Sequence, residues 1–264
     1  LYLSIAFKVP KIPFEDLPYL RLFTYLAPHL GCGEKSYSEH LKEVQSHTGG
    51  VSAFLDNHIA VDDVTKFTPK LFFQGKALFR KRKELFEIMT DMASSPNYND
   101  PSRIKQLLRQ HFVELDQDLK QNSLRYAMNL AASSFSKHAY TTYFWHGLGY
   151  FKLIKKLHHE FDQSESEVIQ KLEVLKQKLL HHYDTDLICT CDDEMFTDIK
   201  ANAFGSLSKM KAQSFEPFSP DYEPEMVTSQ GRISSSPVFF TAMALKTPGF
   251  ADPNISFLSI AARL

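Results

Sequence analysis

Apolar and polar residues alternate at the start of the chain, Leu1-Tyr2-Leu3-Ser4-Ile5-Ala6-Phe7, and this period of two predicts a strand over residues 2–9. Pro10 and Pro13 end it, because proline cannot donate to a sheet ladder. The period then changes: Leu17, Leu20, Phe23, Leu26 and Leu30 form a helical stripe over 15–30, with Pro28 kinking or closing the helix and Gly31 and Gly33 supplying a flexible stop. A short polar helix is expected over 38–47. Thr48-Gly49-Gly50 then turns the chain into a strand at 51–55, and Phe67, Thr68, Leu71 and Phe73 favour another at 66–78.

Farther along, helical spacing dominates. Residues 80–92 place Leu85, Phe86 and Met89 inward and the basic run Arg80-Lys81-Arg82-Lys83 outward, a solvated face because Glu84, Glu87 and Asp91 follow at once. Asn99-Asp100-Pro101 is a helix start, Asp100 capping free amides and Pro101 suiting the first position. The stripe Ile104, Leu107, Leu108, Phe112, Leu115, Leu119 carries that helix on to about residue 136. An aromatic-rich helix is expected over 141–161. Ser164-Glu165-Ser166-Glu167 reads as a capping box opening a separate helix with Val168, Leu172, Leu175 and Leu179 inside. A strand at 186–190 and a helix over 195–210 complete this part. Residues 212–236, with Pro217, Pro220 and Pro224 among Ser, Glu and Gln, read as an extended linker. Residues 238–246 alternate like a strand, and 252–264 begin a helix.

The predicted order is that of an α+β protein of ordinary globular composition: 43% hydrophobic, 23% charged and a net charge of −1, which favours neither nucleic acid nor an anionic membrane surface as partner. No stretch reaches the ~18–20 apolar residues of a membrane helix. The chain opens inside a strand without an initiator Met and closes inside a helix, and is read as a piece of something longer. Three cysteines, Cys32, Cys189 and Cys191, are too few and too odd in number for a disulfide framework, which favours a reducing intracellular compartment or simply no redox role. Cys189 and Cys191 point to one face of their strand and are read as buried structural thiols.

Candidate chemistry is sparse. His158-His159-Glu160 has adjacent histidines and no third ligand in helical register, and His181-His182 with Asp184 and Asp186 falls at a helix end; both are read as surface or capping groups, not as metal sites. Ser38-Glu39-His40, and Cys32 near His29, suggest a nucleophile and base, but neither has an orienting third residue. His146-Gly147-Leu148-Gly149 is no phosphate loop; it allows close helix packing or a break. The aromatic group Tyr140, Tyr143, Phe144, Trp145, Tyr150 and Phe151 is read as packing, with a peptide-binding surface as the alternative. No catalytic, cofactor-binding or metal residue is assigned.

The segment 17–55 resembles the opening unit of a pitrilysin/insulinase-type (M16) zinc metallopeptidase domain, specifically the third domain of the presequence-protease-like branch, subfamily C of M16. The resemblance is carried by Leu17-Pro18-Tyr19, the stop Leu30-Gly31-Cys32-Gly33, Tyr37, Thr48-Gly49-Gly50, Ser94-Ser95-Pro96 and the tail around Asp252-Pro253 and Ile260-Ala261-Ala262-Arg263-Leu264. In catalytic M16 domains this helix carries His-x-x-Glu-His, two histidines holding zinc and the glutamate activating water. Here the corresponding turn reads Thr24-Tyr25-Leu26-Ala27-Pro28. The resemblance implies an antiparallel-rich sheet with helices on one face. It divides the chain into a non-catalytic domain of the kind associated with that subfamily at 1–211, a linker at 212–236 and the start of a second M16-like domain at 237–264. It also implies zinc only in the longer parent, an intracellular setting (bacterial cytoplasm or organelle matrix), and a peptide substrate met through the parent's N-terminal half. The alternative is a metal-free M16 homologue serving as a structural or assembly subunit.

Overall fold

A computed structural model of the chain describes residues 1–179, 185–202, 204, 216–226, 229–233, 238–249 and 251–261. A four-stranded antiparallel sheet organises it, built from β1 (Tyr2–Lys8), β3 (Val51–Ile59), β4 (Phe67–Lys76) and β6 (Thr185–Thr190) in the order β3-β4-β1-β6. Pairing sets Ile5 opposite Phe73 and Leu187, with Phe73 in turn opposite Ala53. One face therefore collects Leu3, Ile5, Phe7, Leu55, Leu71 and Phe73, all buried. Each such side chain contributes roughly 1.5–3 kcal/mol on leaving water. The opposite face carries Ser4, Ser52, Gln74 and a Lys70 to Asp186 ion pair of 2.7 Å, with Phe54 stacked on Phe72 at 4.9 Å.

Helices cover the apolar face. The first helical stripe resolves into a 3-10 turn at Phe14–Asp16, α1 (Leu17–Leu26) and a second 3-10 turn at Ala27–His29, so Pro28 ends the α-helix as expected. A two-residue strand β2 (Gly31–Cys32) pairs with β5 (Pro96–Asn97), a contact too short to leave a pattern in the sequence. Then α2 (Tyr37–His47) begins on a capping box, in which Ser36 Oγ accepts from Glu39 N–H and Ser36 N–H donates to the Glu39 carboxylate. α3 (Arg82–Ser94) packs on the sheet at Gly75, where a Cβ would stand 2.8 Å from Leu85 and 2.9 Å from Met89.

The long helical expectations divide at different places from those predicted. The helix expected to run to about 136 breaks at Asn122 into α4 (Pro101–Gln121) and α5 (Ser123–Ala132). Asn122 Nδ2 donates to Asp118 and Ser123 Oγ to Leu119 O, local side-chain bonds that compete with the helix ladder. α6 (Lys137–His146), capped by Ser136, starts before 141, and α7 (Leu148–Leu179) runs on through the expected capping box. There Ser164 Oγ donates back to Glu160 O instead of capping, because Leu157, Phe161, Val168, Leu172, Leu175 and Leu179 stay in phase on one buried face. The final helix of this part, α8 (Asp193–Ala201), is shorter than the predicted 195–210, whose residues 203 and 205–210 lie outside those described. Among the described residues, 238–249 form no strand, and Phe239 is 90% and Met243 82% exposed. α9 (Ile255–Ala261) ends the described chain.

Candidate functional site

The turn from Thr24 to Pro28, which by the resemblance corresponds to the zinc-ligand turn of a catalytic M16 domain, closes α1 and is filled by packing. Thr24 Oγ1 donates to Arg21 O at 2.8 Å and accepts from the Arg21 guanidinium at 3.1 Å. The Tyr25 ring lies flat on His111 of α4, with centroids 3.6 Å apart. His29 folds back, its Nδ1–H donating to Tyr25 O at 2.8 Å. Leu26 and Ala27 are buried in the core.

His111 is the hub of this cluster and is itself buried. Its Nε2 lies 2.9 Å from the Tyr150 hydroxyl of α7 and its Nδ1 3.5 Å from the Glu114 carboxylate. The consistent tautomer has Nδ1–H donating to Glu114 and Nε2 accepting from Tyr150 O–H. Burial, set against the Glu114 carboxylate, pushes the His111 pKa down to about 4. Burial likewise raises Tyr25 and Tyr150 well above the usual phenol range. His146, near Arg21 and Arg125, is pushed down to about 4, burial being the larger cause and the two guanidiniums adding to it. At neutral pH these two imidazoles and two phenols are all uncharged.

Zinc does not fit this place. A metal needs an imidazole lone pair in the ring plane, whereas the Nε2 lone pair of His111 is taken by the Tyr150 hydroxyl and Nδ1 carries the proton directed at Glu114. Among the described residues no group of three or more His, Cys, Asp or Glu side chains is placed to hold a metal ion.

The other candidates separate in space. Cys32 sits not beside His29 but 3.9 Å from His40 Nε2, both buried. Burial, with Asp91 adding, pushes the thiol up to about 12, and burial lowers His40, so the pair is a neutral thiol and a neutral imidazole. A nucleophilic cysteine needs the thiolate. Glu39 serves the α2 cap, leaving Ser38 with neither base nor acid. His158 stacks on Phe112 at 4.6 Å, with His159 edge-on to the same ring. His181, His182 and Asp184 lie outside the described residues, while Asp186 pairs with Lys70. Cys189 and Cys191 are half-buried against the core. In the basic run, Lys81 pairs with Glu84 and Arg82 with Asp198.

The aromatic group divides, with Phe151 facing Phe112 at 6.1 Å and the other five in two places. Trp145 is core, its indole N–H donating to Leu17 O at 2.8 Å, and Tyr150 serves His111. Tyr140, Tyr143 and Phe144 cluster instead around Phe14 and Tyr222. Gly147 and Gly149 allow close packing: a Cβ on Gly147 would stand 2.8 Å from Tyr143 O, and one on Gly149 2.8 Å from the Phe144 ring. Sequence reading passed over His111 and Glu114. The available signal was a single histidine interrupting the apolar stripe of α4.

A family profile described as peptidase M16 (subfamily C) associated matches residues 1–157. The chain is 21% identical over 267 residues to the mitochondrial presequence protease of Danio rerio, covering 98% of this chain and 26% of that protein. It is 25% identical over 190 residues to the mitochondrial presequence protease of Saccharomyces cerevisiae (strain ATCC 204508 / S288c), covering 70% and 19%. The chain thus spans no more than about a quarter of the length of these curated relatives. Pitrilysin shares the fold at a TM-score of 0.51 and 11% identity, over 86% of this chain and 22% of that one.

Proposed function

Because the chain belongs to the family associated with subfamily C of the M16 peptidases, we propose that it is a non-catalytic, chamber-wall region of a zinc metalloendopeptidase that degrades unfolded peptides. The observation carrying this reading is the Tyr25 ring stacked on a doubly engaged, neutral His111 at the turn where a catalytic M16 domain holds its metal. Zinc and the water-activating glutamate then belong to another part of the longer protein, and this region contributes shape and peptide contact. In the same reading residues 1–211 are the non-catalytic domain, 212–236 the connection and 237–264 the start of a second M16-like unit. An intracellular setting, organelle matrix or bacterial cytoplasm, is proposed alongside; the mitochondrial designation that the named relatives carry supports the organelle alternative.

The test is metal analysis and hydrolysis of an unstructured peptide, run on this chain and on the full-length protein. The expected result is one zinc per molecule and chelator-sensitive cleavage for the full-length protein, with neither for this chain alone. Tightly bound stoichiometric zinc in the isolated chain refutes the non-catalytic assignment. A full-length protein without zinc or cleavage refutes the peptidase reading and leaves the structural-subunit alternative.

A further inference from the structure

Residues 216–225, Glu-Pro-Phe-Ser-Pro-Asp-Tyr-Glu-Pro-Glu, cross the body of the protein in an extended path. Their burial alternates: Phe218, Pro220, Tyr222 and Pro224 are half-buried, while Pro217, Ser219, Asp221, Glu223 and Glu225 face water. A period of two is the mark of an extended segment seated by one face.

What it sits on is specific. At its start Lys11 N–H donates to Glu216 O at 2.9 Å, and the Lys11 ammonium pairs with the Glu216 carboxylate at 2.9 Å. Phe218 meets the edge of Phe67 at 5.7 Å. Lys137, at the first position of α6, donates to Pro220 O at 3.2 Å and pairs with Glu223 at 2.8 Å. The Tyr222 ring lies 4.9 Å from Phe14 and 5.9 Å from Tyr140, its hydroxyl hydrogen-bonded to Thr141. Aromatic pairs at these separations contribute about 0.5–1.5 kcal/mol each beyond the area they bury.

We propose that the channel formed by Phe14, Phe67, Lys137, Tyr140 and Phe144 is a recognition surface for an extended aromatic and acidic peptide, and that its occupant is this chain's own residues 216–225, which latch the following chain to the sheet-and-helix body. Charge complementarity favours that occupant: the channel presents Lys11 and Lys137, and the segment brings Glu216 and Glu223. Tethering adds an effective concentration in the millimolar range, so even modest contacts keep the channel filled. The inference stands whether or not the longer protein is a peptidase, since it concerns only contacts within this chain.

Chymotrypsin tests it, because Phe218 lies in the latch and Phe239, 90% exposed, is an internal control. Cleavage after each is followed by mass spectrometry of the intact chain, with rates normalised to free peptides of the same local sequences. In the wild type, cleavage after Phe218 should be at least ten-fold slower than after Phe239. Tyr222→Ala should bring the two rates together. Lys137→Glu should accelerate cleavage after Phe218, and Lys137→Glu combined with Glu223→Lys should restore protection while an unchanged circular dichroism spectrum confirms folding. Equal rates in the wild type overturn the proposal, and so does failure of the charge exchange to restore protection.

Discussion

Replacing Tyr150 by Phe removes one oxygen and nothing else, which makes the His111 cluster a direct test of how its polar groups are satisfied. The side chain is 2% exposed and its hydroxyl lies 2.9 Å from His111 Nε2, so the change leaves ring packing intact and strands a buried acceptor. Leaving such a group unpaired costs about 1–3 kcal/mol, more than the ~1 kcal/mol net value of the bond itself. His111→Phe keeps a ring against Tyr25 but strands the Tyr150 hydroxyl, with a similar cost. The double variant removes both partners and should cost about 1–2 kcal/mol less than the sum of the singles. Urea unfolding followed by far-ultraviolet circular dichroism measures all four proteins, and an unchanged denaturant slope confirms that stability alone has moved. A Tyr150→Phe protein within about 0.5 kcal/mol of the wild type, or strict additivity in the cycle, would show that the bond is not made as described.

Two further outcomes follow from the same packing. His111 and His146 have folded pKa values of about 4 against an unfolded value of 6.5, so the unfolded chain binds more protons between these limits. Their contribution is fully present above pH 6.5 and is lost as pH falls toward 4; urea midpoints of His146→Gln should therefore fall less steeply than wild type across that window. Gly147→Ala should cost about 1–3 kcal/mol, because its Cβ would meet the Tyr143 backbone carbonyl at 2.8 Å. Gly75→Ala, whose Cβ meets side-chain atoms of Leu85, Met89 and Val51 and no backbone, should cost less; the reverse order in urea midpoints would refute the packing described at both sites.

Strong periodicity was legible where one rule governed a segment. The alternation at residues 2–8 gave β1 and the stop after Leu30 gave the end of the first helix, since local chemistry decides both. The break between α4 and α5 was hidden because Asn122 and Ser123 are individually tolerable in a helix, and only their bonds to Asp118 and Leu119 O reveal the competition. The capping box at residues 164–167 misled for the opposite reason. Its residues suit a helix start, but the apolar stripe on either side keeps a single phase, and burial of that stripe decides the outcome. The pairing of Tyr25 with His111 joins residues far apart in the chain, which no local pattern encodes. The seating of Phe218 and Tyr222 did have a local sign: aromatic and proline residues at every second position within what reads as a linker.

The strand order sets a timetable for synthesis. β1 precedes the other three strands of its sheet in the chain yet lies inside that sheet, between β4 and β6, with Tyr2 opposite both Lys76 and Thr190. One flank of β1 is paired once residue 76 has emerged; the other waits for residues 185–190. At roughly 5–20 residues per second that interval is on the order of ten seconds, during which an apolar strand offers an open edge. The sheet therefore closes only with its last strand, and a chain halted before residue 185 would carry that edge permanently.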